Sequence, residues 1–319
     1  MNLAKAVFLV GLAACLAPVT PPWLALCLGI ALALFLGNPF PKESKQGSKV
    51  LLQACVVLLG FGMDLNTVLK AGSQGILFAF ASISAVFLLG WGLQRALALR
   101  PVAGLLVSTG TAICGGSAIA AMSTVTDAEQ EDVSVAIGTV FILNAIALLL
   151  FPPLGRYFGM TQEQFGTWAG IAIHDVASVV GAGKAYGPVA LDVGTAVKLS
   201  RVLYLIPITL LAAWLVNRSR MNLTKESPDA PRPTPYASFP YFILGFIVAS
   251  VIRTYVSGIA DHAPTIKMVA SIGLAVALYL IGSGITRKTL KQVGFRPLLM
   301  GVALWAFISM AGFFAVRQI

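Results

Sequence analysis

The chain has 319 residues, of which 58% are hydrophobic and 11% charged, with a formal net charge of +10. Soluble domains carry about 25% charged residues. Here apolar stretches recur along nearly the whole length, each close to the ~20 residues that cross ~30 Å of hydrocarbon. These values exclude a soluble globular domain and predict an all-α, polytopic membrane protein. Most Lys and Arg fall in short loops between apolar runs, which argues against a nucleic-acid partner.

Taken in chain order, the first stretch sets a trap. Leu12-Ala13-Ala14-Cys15 imitates a lipoprotein cleavage site, but the sequence stays apolar afterwards, so a retained first helix and a Pro-marked turn are expected. Apolar runs then predict helices over 6–19, 22–38, 48–63, 74–95, 132–153, 190–215, 239–257, 264–282 and 295–316. Pro21-Pro22, Pro39, Pro41 and Pro152-Pro153 are expected at helix boundaries, where a missing N–H does least harm. Two further apolar stretches, 102–126 and 165–186, are interrupted by small and polar residues. The organisation expected is one integral membrane domain over 1–319. Within it lie N-terminal helices (1–45), a first bundle (48–217), a polar cytoplasmic loop (218–238) and C-terminal helices (239–319).

Positive charge orients the spans. With the N-terminus inside, Lys5, Lys42, Lys45, Lys49, Arg95, Arg100, Arg218, Arg220, Lys225, Arg232, Arg287, Lys288, Lys291 and Arg296 all become cytoplasmic, and the C-terminus lies outside. The two interrupted stretches either cross as discontinuous helices, giving eleven spans, or dip in and return, giving nine spans and two re-entrant hairpins. The acidic turn from Asp127 to Asp132 leans towards crossing, which would place it outside.

The chain also resembles itself. A shift of 60 lays "GTAICGG" over "GIAIHDV", so that Gly110 meets Gly170 and Asp132 meets Asp192. A shift of 222 lays "LGFGMDLNTVLKAG" over "IGSGITRKTLKQVG", bringing Gly60, Gly62, Thr67 and Gly72 onto Gly282, Gly284, Thr289 and Gly294. The expected orientations make that second pair inverted. Inverted repeats recur in secondary transporters, with the substrate at the repeat interface near midplane.

The interrupted stretches carry the chemistry. Non-helical backbone at membrane depth survives where it is buried in protein or lines a wet cavity. A helix broken there presents N–H groups with partial positive charge, a setting for anions. Ser108, Thr109, Gly110, Thr111, Gly115, Gly116 and Ser117 are candidate substrate-binding residues, with close helix packing through small residues as the alternative. In the second stretch His174 and Asp175 form an ionisable pair within an apolar segment, a functional candidate by position. With Asp192 they are candidates for the coupling ion, a proton or a cation. Their alternative role is helix capping.

Helix 190–215 carries Lys198 and Arg201 where its 60-residue counterpart has Gly138 and Phe141. Residues three apart share a helical face, so both cations are candidates to hold an anion, with snorkelling towards an interface as the alternative. Gln53, Asp64 and Asn144 are weaker candidates that could simply tie helices together. Cys15, Cys27, Cys55 and Cys114 lie in apolar segments without metal or redox spacing. Neither cofactor nor metal is expected, and no nucleophile–base pattern suggests an enzyme.

At "STGTAICGGSAIAA", "AIHDVASVVGAG" and "LLGFGMDL" the sequence resembles the bacterial family of YeiH-like membrane proteins named as sulfate exporters, over residues 50 to 310. The resemblance implies an inner-membrane protein distantly similar to cation:proton antiporters and bile-acid symporters, in which crossed discontinuous helices form the transport site. The expected function is secondary transport of a small anion such as sulfate, sulfite or a sulfonate, by alternating access. A cation:proton antiporter and a passive anion channel are the alternatives. The bilayer is the expected surrounding, and a homodimer is compatible with the sequence.

Overall fold

The computed structural model describes residues 3–17, 20–63, 65–223, 241–256, 258–287, 291 and 293–317. All of its regular elements are helices: α1 (Leu3–Cys15), α2 (Pro22–Phe35), α3 (Pro41–Gly60), α4 (Leu65–Ala96), α5 (Pro101–Ala112), α6 (Gly116–Val125), α7 (Gln130–Tyr157), α8 (Gln162–Ala172), α9 (Val176–Tyr186), α10 (Pro188–Val202), α11 (Leu205–Leu223), α12 (Tyr241–Tyr255), α13 (Ile259–Ser283) and α14 (Phe295–Val316). Among the described residues, five helical stretches are long and apolar enough to cross a membrane: Phe78–Ala96, Glu131–Tyr157, Pro188–Val216, Asp261–Ser283 and Phe295–Val316. Shorter apolar helices accompany them, among them α1, α2, α5, α6 and α12. The protein is a polytopic helical membrane protein.

Both interrupted stretches break where the repeat says they should. The first halves end at Ala112 and Ala172 and the second halves begin at Gly116 and Val176, in each case 60 residues apart. Each stretch also folds back on itself. Arg100, before α5, sits 2.6 Å from Glu129 and 3.4 Å from Asp132, which lie before and within the first turn of α7. The entry to α5 and the exit from α6 therefore lie at one end of the bundle. That hydrogen bond from Arg100 also lowers the Glu129 pKa below its ordinary value. The acidic turn thus lies beside Arg100 rather than at the opposite end, because its carboxylates have a local partner.

The second stretch mirrors this at the far end. The amide of Val189 donates to Gln162 Oε1 at 2.9 Å, Tyr186 Oη donates to the Met160 carbonyl at 2.6 Å, and the Phe165 and Tyr186 rings stack at 3.8 Å. Helix α7 joins the two ends. At ~1.5 Å per residue its 28 residues cover ~42 Å, while α5 and α8 penetrate less than half of that before breaking.

Local sequence explains these starts and stops. Pro101 and Pro188 occupy the first turns of α5 and α10, where their fixed φ favours the helix and no N–H is lost. Thr161 and Gln164 form a reciprocal capping box at α8. Gly115, in the first break, has φ +70° and ψ −130°, a conformation that residues with a Cβ rarely adopt.

Around this centre, α2, α3 and α13 pack closely. Gly29 faces the Tyr279 carbonyl and Gly282 faces the Leu26 carbonyl, so α2 and α13 meet backbone to backbone. Gly60 likewise faces the Phe246 carbonyl of α12. Helices α3 and α13 run antiparallel, as Gly47 packs on Leu280, Gly273 on Cys55 and Gly62 on Lys267. The partners of the 222-residue repeat, Gly60 and Gly282, thus each seat a neighbouring helix. The side chains of Thr67 and Gly72, together with Asp64, Lys225, Arg232, Lys288 and Thr289, lie outside the described residues, as does most of the 218–238 loop.

Several expected boundaries move: α4 begins at Leu65, nine residues before its apolar run, and three others have a local cause. Pro152 and Pro153 lie inside α7, which continues to Tyr157; they deprive the carbonyls of Leu148 and Leu149 of their α-helical donors without stopping the helix. The run 190–215 is two helices, separated by a tight turn at Leu203-Tyr204 in which the Tyr204 amide bonds the Arg201 carbonyl at 3.1 Å. Helix α3 begins at Pro41, seven residues before the apolar run, because Pro41 starts it and Ser44 and Ser48 turn inward.

A Cβ at position 115 would meet Asp175 Cβ and Val140 Cγ1, each at 3.3 Å. Gly115→Ala should therefore lower stability by about 1–3 kcal/mol, read as a fall in Tm of the purified protein. An unchanged Tm would mean that the break does not hold this geometry.

Candidate functional site

The two breaks meet halfway along α7. Val140 packs on Gly110 and Gly115, Phe141 packs on Gly116, and Asn144 reaches the second break. Gly115 itself lies against Asp175, so the hairpin tips touch. Lys198 is ten residues into α10, or ~15 Å from that helix's start, at the same depth as the tips.

The backbone groups freed by the breaks are largely paired. The Ala112 carbonyl, at the partially negative end of α5, accepts from Arg201 Nη2 at 2.7 Å, while Arg201 Nη1 donates to Ser82 at 2.9 Å. A guanidinium placed on a helix C-terminus is favoured by the local dipole. In the second break Asn144 is a two-handed clamp. Its Oδ1 accepts from the His174 amide at 3.0 Å and its Nδ2 donates to Asp175 Oδ2 at 2.6 Å. The other Asp175 oxygen caps α9, accepting from the Ser178 amide at 2.7 Å. The N-terminus of α6, by contrast, follows Gly115 and has no side-chain cap.

What remains unpaired is a set of side chains that is mostly donors. Lys198 Nζ, both ring nitrogens of His174, Arg201 Nε and Thr111 Oγ1 are buried without a hydrogen-bond partner among the described residues. Lys198 is 0% exposed, His174 1% and Arg201 1%. A buried ionisable group normally has a partner, because an unpaired one costs several kcal/mol. Lys198 lies within electrostatic reach of His174, Asp175, Cys114 and Arg201. With Asp175 the one carboxylate in that set, the formal positive charge exceeds the negative by one.

The other candidate residues divide. The hydroxyls of Ser108 and Thr109 are spent on carbonyls of their own helix, at Gly104 and Leu105, each at 2.8 Å. Gly110 packs on Ile119. Gly116 is half-buried and Ser117 exposed, with its hydroxyl 3.1 Å from Cys114 Sγ. Thr111, Gly115, Gly116, Ser117, His174, Asp175, Lys198 and Arg201 are thereby gathered at the tips, whereas Ser108 and Thr109 face α5 itself. Asp192 stands apart: both its oxygens accept from Lys267 of α13, at 2.9 and 3.0 Å. Asn144 and Ser82 are the functional-site residues that sequence reasoning undervalued. Asn144 was visible as an amide in an apolar run, but nothing in the sequence pairs it with residues thirty positions away. Among the described residues, no group of three His, Cys, Asp or Glu side chains could hold a metal ion.

Asn144→Leu removes the donor to Asp175 and the acceptor for the His174 amide together. Leaving buried polar groups unpaired costs about 1–3 kcal/mol each, so this variant should melt well below wild type. A Tm equal to wild type would show that Asn144 does not hold the second break.

Comparison with known proteins finds membrane proteins. The family model described as "Conserved hypothetical protein 698" matches residues 2–301. A UPF0324 membrane protein of Geobacter sulfurreducens is 42% identical over 308 residues, covering 97% of this chain and 94% of that protein. A UPF0324 membrane protein of Porphyromonas gingivalis is 45% identical over 296 residues, covering 91% and 85%. One from Shewanella oneidensis is 37% identical over 305 residues, covering 96% and 92%. No solved structure matches. The chain belongs to the conserved hypothetical protein 698, or UPF0324, family of bacterial multi-pass membrane proteins, the YeiH-like family that its motifs resemble.

Proposed function

We propose that the protein is a secondary active transporter that exports a small oxyanion, of the size and charge of sulfate, sulfite or a sulfonate, by alternating access. The observation that carries this reading is the buried, unpartnered and mainly donor set of Lys198, His174, Arg201 Nε and Thr111 between the tips of two opposed hairpins. Lysine and guanidinium nitrogens only donate, and a site with an excess of positive charge suits an anion. A cation site would need free acceptors. Here Asp175 is engaged at both oxygens and Asp192 is held by Lys267.

The two hairpins open from opposite ends, and α7 and α10 that follow them run in opposite directions, an arrangement that supports reading the 60-residue repeat as inverted. Nine crossings with two re-entrant hairpins then account for the chain. The end bearing Arg95, Arg100 and Arg296 is the cytoplasmic one by the positive-inside rule. On α6, Ser117, Ala120 and Thr124 are exposed on one face, running from the tip towards that end. This polar, small-residue face favours an approach to the site from the cytoplasm, the loading side of an exporter. His174, whose ring nitrogens make no hydrogen bond among the described residues, is the coupling residue in this reading; Asp175, fixed by its two donors, positions the second hairpin.

In proteoliposomes the wild type should show saturable sulfate counterflow, and Lys198→Met should reduce it at least tenfold. Lys198 Nζ makes no hydrogen bond among the described residues, and burying an unpaired charge is costly, so Tm should hold or rise. Undiminished counterflow in folded Lys198→Met would contradict the anion site. His174→Asn, which keeps a donor at the site but cannot titrate, should weaken sulfate-dependent thermal protection much less than Lys198→Met does, but lose the response of flux to an imposed proton gradient. A response equal to wild type would remove His174 from coupling.

A further inference from the structure

At the far end of the bundle, away from the hairpin tips, a cavity of ≈ 580 Å³ opens between the start of α2, the end of α7 and the end of α9. Two cations line it, Arg156 and Lys184, against an apolar wall that includes Trp23 and Leu149. Among the described residues neither cation has a carboxylate within salt-bridge distance. Arg156 is anchored by donating to the Ala185 carbonyl at 2.5 Å and lies 5.5 Å from the Tyr186 ring centroid, so its charge is fixed in place. Lys184, half-buried in the last turn of α9, has no partner that sets its position.

The remaining lining defines the ligand further. Leu148, Leu149, Pro152 and Pro153 of α7 also line it and extend the apolar wall inward from Arg156. Trp23 is 42% and Leu149 43% exposed, so the apolar side of the cavity is open to the surroundings of the bundle. The site lies at the ends of α7 and α9, at headgroup depth, where a tryptophan is also at home. Basic pockets between transmembrane helices hold anionic headgroups.

We propose that this cavity binds an anionic phospholipid, its phosphate between Lys184 and Arg156 and an acyl chain along Trp23 and Leu149. The lipid bridges α2, α7 and the return leg of the second hairpin. A free phosphate would share the cationic contacts but leave the apolar wall bare. The inference is independent of the transport reading, since none of these residues lies at the hairpin tips.

Native mass spectrometry of the full chain in detergent, titrated with phosphatidylglycerol, phosphatidylcholine or inorganic phosphate, tests it alongside thermal shift. Phosphatidylglycerol should bind and raise Tm, at least tenfold more tightly than phosphatidylcholine, and inorganic phosphate should give no shift that depends on Lys184. Lys184→Gln should weaken phosphatidylglycerol at least tenfold while keeping the Arg156 anchor. Arg317→Gln, which removes an exposed cation outside the cavity, should leave it unchanged. Arg156→Gln tests the second contact but also loses the α9 carbonyl bond, so Lys184→Gln decides. The proposal is overturned if Lys184→Gln binds phosphatidylglycerol like wild type, if Arg317→Gln weakens it equally, or if phosphatidylcholine binds as well. It is also overturned if inorganic phosphate protects wild type but not Lys184→Gln, which would make the cavity a site for a soluble anion.

Discussion

Backbone hydrogen bonding at mid-bilayer is the constraint on which everything else in this protein depends. Lipid offers no partner to a free carbonyl or amide, so a helix broken halfway across must find its partners in the protein. Each break does so through side chains from another helix. Arg201 of α10 takes the last carbonyl of α5, and Asn144 of α7 holds the first residues of the second break while Asp175 caps α9. The central helices α7 and α10 are therefore more than walls: they supply the polar side chains that make the breaks tolerable.

These pairings leave a surplus of donors. Two of the three Arg201 nitrogens are bonded and Nε is unpaired, and among the described residues the side chains of Lys198 and His174 have no hydrogen-bond partner. One hairpin tip is closed by its own carboxylate and the other begins at an uncapped glycine. The asymmetry within an otherwise repeated plan leaves buried donors without partners among the described residues at the centre, where Gly115 lies against Asp175 and the two tips meet.

Much of this was legible in the sequence. The breaks followed from glycines and hydroxyls in runs otherwise fit to span, and the 60-residue repeat placed both within one register. Lys198 and Arg201 stood out because their counterparts are Gly138 and Phe141. Return rather than crossing was not legible: it depends on Arg100 meeting Glu129 and on Gln162 meeting Val189, pairings that no local rule encodes. Asp192 was misleading for a similar reason. The sequence groups it with His174 and Asp175 as a coupling-ion candidate, but Lys267, far away in sequence, claims it. Pro152-Pro153 resembled a stop because propensity is local, whereas packing carries α7 four residues further.

The central claim, that two hairpins enter from opposite ends and meet in the middle, is tested most directly by side-specific thiol labelling in a background without the native cysteines. Cysteines replacing the exposed Ala96 and Asp127 flank the first hairpin, and those replacing the exposed Tyr157 and Val189 flank the second. Labelling of 96 and 127 from one face of the membrane, and of 157 and 189 from the other, is the predicted result. Labelling of 96 and 127 from opposite faces would mean that the first stretch crosses, and the opposed-hairpin site would not exist.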